Sequence, residues 1–253
     1  IYDQLSNFPV IMVGEMHGSN EPAQLVRGLV KLFRNKGEKV LLGLEIPPDE
    51  MNDLTRNPAD SLVYESCFFQ KSHFHDGRQS FAWAKTITAF LHDTGVKIFF
   101  FDIHENQQME FRDSVMYRTI RAECVKYPNT RIITLSGNAH TLSDSGEQKA
   151  ARFIQEDTSV THNRKICTIY HYYQQGTCRA NFGNGLEEKS YDRQAGDLDT
   201  LLPGANYLLK TSSASSFHYT YIFYTNKITA AEQVIEQPGL SAIKTTLTEL
   251  ERL

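Results

Sequence analysis

Val10-Ile11-Met12-Val13-Gly14-Glu15-Met16-His17-Gly18 opens on four apolar residues and closes on a carboxylate and an imidazole set between glycines. A short continuous apolar run bounded in this way is the signature of a strand buried on both faces that runs into a loop. The event recurs along the chain. Val40-Leu41-Leu42-Gly43-Leu44 stops at Glu45, ahead of Pro47-Pro48, which forbids a continued strand. Val96 to Phe101 stops at Asp102-Ile103-His104, and Arg131-Ile132-Ile133-Thr134-Leu135 stops at Ser136-Gly137-Asn138-Ala139-His140.

Helical patterns separate these strands. Ser19-Asn20-Glu21-Pro22 reads as a helix start with the proline in the first turn. Leu25, Leu29, Leu32 and Phe33 make its apolar face, and Asn35-Lys36-Gly37 ends it. A second helix is expected over about Gln79–Thr94 with Phe81, Ile87, Phe90 and Leu91 buried, a third over about Met109–Lys126, and a fourth that includes Gln148–Phe153. Residues 57–76 show no period and read as loop or short helix over the strand ends. Strand and helix alternating at short intervals call for an α/β fold: a mostly parallel central sheet covered by helices on both faces.

After Asn163 the pattern loosens. Ile166–Tyr173, Tyr207–Leu209 and Tyr219–Tyr224 read as strands, residues 183–199 as a Gly- and charge-rich surface loop, and Leu240–Leu253 as a closing amphipathic helix. The whole is read as a single α/β domain over 1–253, with a core at about 8–155 and a more irregular C-terminal third at about 160–253.

A chain of 253 residues can bury a core without covalent staples. Its net charge of −4 offers no basic excess for nucleic acid or anionic lipid, so the aromatic run around Tyr219–Tyr224 reads as a core strand and not as a stacking platform. No apolar run reaches the ~20 residues of a bilayer span. The expected partner is therefore a small-molecule or peptide substrate, with the oligomeric state open. Cys167 and Cys178 flank an expected hairpin, and two readings stand: a bridge across it, or two unconnected thiols. A bridge would suit an oxidising, exported setting.

The chemistry lies in position. In an open parallel sheet all carboxyl ends share one edge, and ligands bind in the crevice outside it. Glu15, His17, Glu45 and His140 are thus expected to converge. A histidine exchanges protons near neutral pH, and a carboxylate beside it sets its tautomer and raises its basicity. Such a set activates water for attack on a carbonyl without a serine or cysteine nucleophile, or holds a divalent metal, with His17, Glu45 and His140 as candidate ligands. Asp102 and His104 are read as satisfying loop amides. Gly14-Glu15-Met16-His17 and Gly137-Asn138-Ala139-His140 are both G-x-x-H after an apolar strand, where glycine permits a sharp turn and a close approach.

With these motifs the sequence resembles the superfamily that joins erythromycin-esterase-like proteins, ChaN-like haem-binding lipoproteins and the Tiki/TraB group. Gly43-Leu44-Glu45 resembles its glutamate strand, Asp76-Gly77-Arg78-Gln79-Ser80 a D-G-R-x-S element of the esterase branch, Arg112-Asp113-Ser114-Val115-Met116 an R-D-x-x-M helix start, and Tyr221–Ala230 the closing strand. The resemblance implies a parallel α/β core with Glu15, His17, Glu45 and His140 in the site and Arg78 and Arg112 as polar partners. An arginine at a helix start opposes the helix dipole, which calls for an anionic partner at Arg112. The resemblance implies no single activity: lactone hydrolysis by histidine-activated water, metal-dependent proteolysis and haem binding all occur in the superfamily. The leading reading is a hydrolase of an ester, lactone or amide that requires no cofactor; haem or a divalent metal belongs to the alternatives. One residue separates Glu15 from His17, as in the ChaN-like branch, where the esterases tend to have two.

Overall fold

The computed structural model describes residues 1–71, 76–103, 111–143, 148–183, 185–192, 206–211 and 219–234. The chain runs α1 (Tyr2–Leu5), β1 (Val10–Glu15), α2 (Glu21–Asn35), β2 (Val40–Leu44), α3 (Asn52–Arg56), α4 (Asp60–Glu65), α5 (Cys67–Gln70), α6 (Phe81–Thr88), β3 (Val96–Phe100), α7 (Arg112–Lys126), β4 (Arg131–Gly137), α8 (Ala150–Glu156), α9 (Thr158–Thr161), β5 (Cys167–Asn181), β6 (Leu186–Asp192), β7 (Asn206–Lys210) and β8 (Tyr221–Ile228). The eight strands form one sheet in the order β3-β2-β4-β1-β5-β8-β7, with β6 paired to β5. The path from β3 to β8 is parallel throughout, and β6 and β7 add antiparallel edges.

The pleat sends alternate residues to opposite faces, and the core follows it. Ile11, Val13, Leu42, Leu44, Ile133 and Leu135 pack with Val26, Val30 and Phe33 of α2 and Trp83 and Ile87 of α6. Val10, Met12, Leu41 and Ile132 face the other way, onto Met116 and Ile120 of α7 and Ala150, Ala151 and Ile154 of α8. Helices therefore cover both faces. Each large side chain buried as completely as Phe33 stabilises the fold by about 1.5–3 kcal/mol.

Four local expectations differ from the structure. The buried face of α2 centres on Val26, Val30 and Phe33, and Leu25 and Leu32 lie at its margins. α6 is capped at its start by Ser80, which accepts from Trp83 N at 3.4 Å, and it ends at Thr88, before the Thr94 that the hydrophobic pattern predicts. Residues 186–192 are a charged edge strand on β5 and not a loop. Cys167 and Cys178 flank no hairpin: both lie on β5, eleven residues and roughly 35 Å apart at the strand rise, and both are free thiols. His104 and the segment Leu240–Leu253 lie outside the described residues, and no described helix is long and apolar enough to cross a membrane.

Candidate active site

Register brings the strand ends into a row. Glu15 of β1 lies opposite Gly137 of β4, Leu44 of β2 opposite Leu135 of β4, and Phe100 of β3 opposite Leu44. Across the carboxyl edge the order is thus Asp102, Glu45, the Gly137–His140 turn, and Glu15 with His17.

Glu15 is 3% exposed. Its Oε1 pairs with His17 Nδ1 at 2.6 Å, and its Oε2 accepts from Trp83 Nε1 at 2.9 Å. The carboxylate therefore holds the proton of His17 on Nδ1 and leaves Nε2 as the basic nitrogen. Nε2 has no partner among the described residues, and the side chain is 27% exposed on a cavity of about 190 Å3. Burial works against the imidazolium, but the hydrogen bond and charge of Glu15, with the charges of Asp76 and Glu45, outweigh it and hold His17 above its ordinary pKa. Burial likewise pushes the Glu15 carboxyl up, against the pull of His17 and Trp83.

The two G-x-x-H motifs interlock. A Cβ on Gly137 would sit 3.1 Å from His17 Nε2, so the second motif is bare where the first needs room. A Cβ on Gly14 would run into Asn138 Oδ1, so the first is bare where the second needs room. Asn138 reaches across Gly14 to β5, accepting from His171 N at 2.9 Å and donating to His171 O at 3.1 Å. It thereby continues the ladder beyond the last β1–β5 pair, Val13 with Ile169, and fixes the turn that carries His140.

Glu45 is fully buried. Oε2 accepts from Gly137 N at 2.6 Å, and Oε1 accepts from Arg112 Nη2 at 2.5 Å and lies 3.2 Å from Arg78 Nη1. Arg78 also donates to Glu45 O and Asp102 Oδ2, each at 2.6 Å, and to Asp76 Oδ2 from Nε at 2.7 Å. Arg112 completes the cluster by donating to Asp102 Oδ1 and Oδ2 at 2.8 Å. Burial alone would raise the Asp76 and Asp102 carboxyls, but Arg78 holds the first, and Arg112 with Arg78 the second, below the usual range. His140 pairs through Nδ1 with Asp113 Oδ1 at 2.9 Å, and its Nε2 lies 3.6 Å from Glu45 Oε1.

Glu15 with His17, and Glu45, Arg78 and Arg112 with His140, thus lie as two neighbouring groups on one sheet edge. Asp102 is a correction, because it binds two guanidiniums and not loop amides. Trp83, Asp76, Asp113 and Asn138 were not singled out from the sequence. Asp76, Asp113 and Asn138 each lay inside a quoted motif, whereas Trp83 carried only the signal of being the sole tryptophan. Trp83→Phe removes the N–H that serves Glu15 Oε2 while keeping an aromatic ring. It is expected to lower stability by at least ~1.5 kcal/mol, the scale of a hydrogen bond to a charged group, measured by denaturant unfolding followed by circular dichroism.

Both Glu45 oxygens are engaged by N–H donors, and among the described residues no three His, Cys, Asp or Glu side chains are grouped to hold a metal ion.

Comparison with solved structures gives the class of the fold. A succinoglycan biosynthesis protein matches with TM-score 0.62 and 9% identity, over 91% of each chain. A mutant erythromycin esterase in its open conformation matches with TM-score 0.51 and 9% identity, over 76% of this chain and 77% of its own. The type III effector HopBA1 matches with TM-score 0.50 and 13% identity, over 86% of this chain and 88% of its own. The chain has an erythromycin-esterase-like α/β fold. No protein-family model and no curated protein matches the sequence.

Proposed function

We propose that the protein hydrolyses an ester, lactone or amide with water activated by His17. The observation that carries this is the relay from Trp83 through Glu15 to His17, which ends in an unpartnered Nε2 at the cavity. In this reading Nε2 takes a proton from water and the hydroxide adds to the carbonyl carbon. Arg112 and His140 stabilise the oxyanion, in the manner of fixed donors aimed at developing charge. Collapse of the intermediate breaks the bond to the leaving group, which recovers the proton from the imidazolium.

A pH profile tests the relay. Only neutral His17 is a base, so kcat/KM is expected to rise with pH through a midpoint above ~6.5, the ordinary imidazole value. Glu15→Gln removes the hydrogen bond and charge that raise His17 most, so it should lower both the midpoint and the plateau. Emission from the single tryptophan, hydrogen-bonded to Glu15, gives the same titration without a substrate. A midpoint that Glu15→Gln leaves in place would show that the pair is not coupled.

A further inference from the structure

We propose that residues 229–234 tie the loop that carries His17 to the loop that carries Arg78, and that Thr229 is the positioning residue whose hydroxyl holds this tie in place. The proposal rests on the hydrolase reading for its catalytic meaning and adds a positioning residue to it.

His17 lies on the loop that leaves β1, and Arg78 on the loop that enters α6. The stretch after β8 joins both. Ser19 and Ala230 form an antiparallel bridge, and Ser80 and Gln233 form another three residues further along the same stretch. On the first loop, Asn20 N donates to Thr229 O at 3.2 Å and Ala231 N donates to Gly18 O at 2.8 Å. On the second, Phe81 N donates to Glu232 O at 2.8 Å and Val234 N donates to Gln79 O at 3.1 Å. The loops also meet each other without slack: Gly77 has φ +102°, and a Cβ there would run into Gly18 N. Displacing one loop therefore strains the other.

The start of the tie is anchored by side chains. Glu21, the first residue of α2, is 6% exposed, and its Oε1 accepts from Thr229 N at 3.0 Å and from Thr229 Oγ1 at 2.7 Å. The same hydroxyl accepts from Asn20 Nδ2 at 3.0 Å, which also donates to Ala230 O at 3.0 Å. A carboxylate in the first turn of a helix gains from the dipole without being buried. Burying it costs stability unless hydrogen bonds compensate, and Thr229 supplies two. The Thr229 hydroxyl thus fastens the tie to α2, a helix that Val26, Val30 and Phe33 fix to the sheet.

The tie matters to His17 through its neighbours. The charged groups that bear on this imidazole are Glu15 from β1, Asp76 from the loop before α6 and Glu45 from the end of β2. Asp76 stands next to Gly77, so its distance from His17 depends on the two loops keeping their register. The 2.6 Å contact between Glu15 and His17 Nδ1 depends on the first loop alone. A loosened tie weakens both influences and misplaces the base relative to Arg78 and the groups it holds.

The test uses Thr229→Val, which keeps the shape and removes the hydroxyl, and Thr229→Ser, which restores it. In Thr229→Val the His17 midpoint, followed by Trp83 emission without substrate, is expected to fall towards ~6.5. Its kcat is expected to drop by roughly ten- to a hundredfold with KM little changed, the scale of a small misplacement of a catalytic group. Thr229→Ser is expected to return both to wild-type values. A purely structural role would lower the melting temperature and leave the midpoint where it is. Asn20→Ala cuts the same tie from the loop side and should lower the midpoint too, which keeps the test open if Thr229→Val does not fold. A wild-type midpoint in a folded Thr229→Val overturns this inference and leaves the hydrolase reading standing. A lowered midpoint in a protein that hydrolyses no ester, lactone or amide keeps the tie and removes the hydrolase reading.

Discussion

His17→Asn is expected to lower kcat/KM for hydrolysis by roughly a thousandfold, the middle of the ~10²–10⁴ range that a positioned general base contributes. Asparagine is the informative replacement. Its side-chain amide can still donate to Glu15 Oε1, which in the native protein pairs with His17 Nδ1 at 2.6 Å, so the buried carboxylate keeps a partner beside Trp83. What asparagine cannot do is carry a proton. The melting temperature should accordingly stay within about 5 °C of wild type, since a surviving hydrogen bond limits the loss to about 1 kcal/mol. Residual turnover would come from Arg112 and His140 acting on the oxyanion. Full activity in a folded His17→Asn variant would remove His17 from its role and turn attention to His140, whose pairing with Asp113 at 2.9 Å is a second histidine–carboxylate couple on the same sheet edge.

The parts of this site differ in how far the sequence exposes them. The strand ends are legible because β1, β2 and β4 are apolar on both faces and stop abruptly at polar groups, so continuous runs locate Glu15, Glu45 and the Gly137–His140 turn directly. Pairings through space are not legible. Nothing in the spacing says that Asp102 will meet Arg78 and Arg112, because the choice among several acidic strand ends is made by strand order, and β4 enters between β1 and β2 only in the folded sheet. Trp83 is hidden for a related reason: it lies in the first turn of α6, just after the Ser80 cap, and only the folded chain brings that turn onto Glu15. In the C-terminal third, the polar run Gln174-Gln175-Gly176-Thr177 imitates a hairpin turn, whereas β5 passes straight through it and pairs with β8 as far as Gly176–Ile228. The charges of Glu187, Glu188 and Lys189 likewise imitate a loop. They sit on an edge strand, where charge guards the open backbone against further pairing.

The second large effect concerns stability. Arg78→Ala is expected to cost about 3–5 kcal/mol, the range for removing one partner from a buried ion pair. The Arg78 side chain is 7% exposed, and those of Asp102 and Glu45 are 2% and 0% exposed, so water cannot replace the guanidinium. Its loss strips Asp76 of its cationic partner, removes one of two cations from Asp102 and Glu45, and leaves Glu45 O without this donor. At about 2–4 °C per kcal/mol for a chain of this size, the melting temperature should fall on the order of 10 °C. The pH dependence has a definite sign. Asp76 and Asp102 are held below their ordinary values in the fold, so the stability they supply is present above ~3.9 and is lost as pH falls through their folded pKa values. Without Arg78 the carboxyls rise, protonation relieves the uncompensated charge, and the deficit relative to wild type should narrow from pH 7 towards pH 4. Arg78→Lys should recover only part of the loss, because an ammonium is a single point of charge and cannot span Asp76, Asp102 and Glu45 O at once. Denaturant unfolding of the three proteins at neutral and acid pH decides the matter: a deficit below about 1 kcal/mol for Arg78→Ala, or one that widens in acid, would mean that Arg112 alone suffices to neutralise the strand ends.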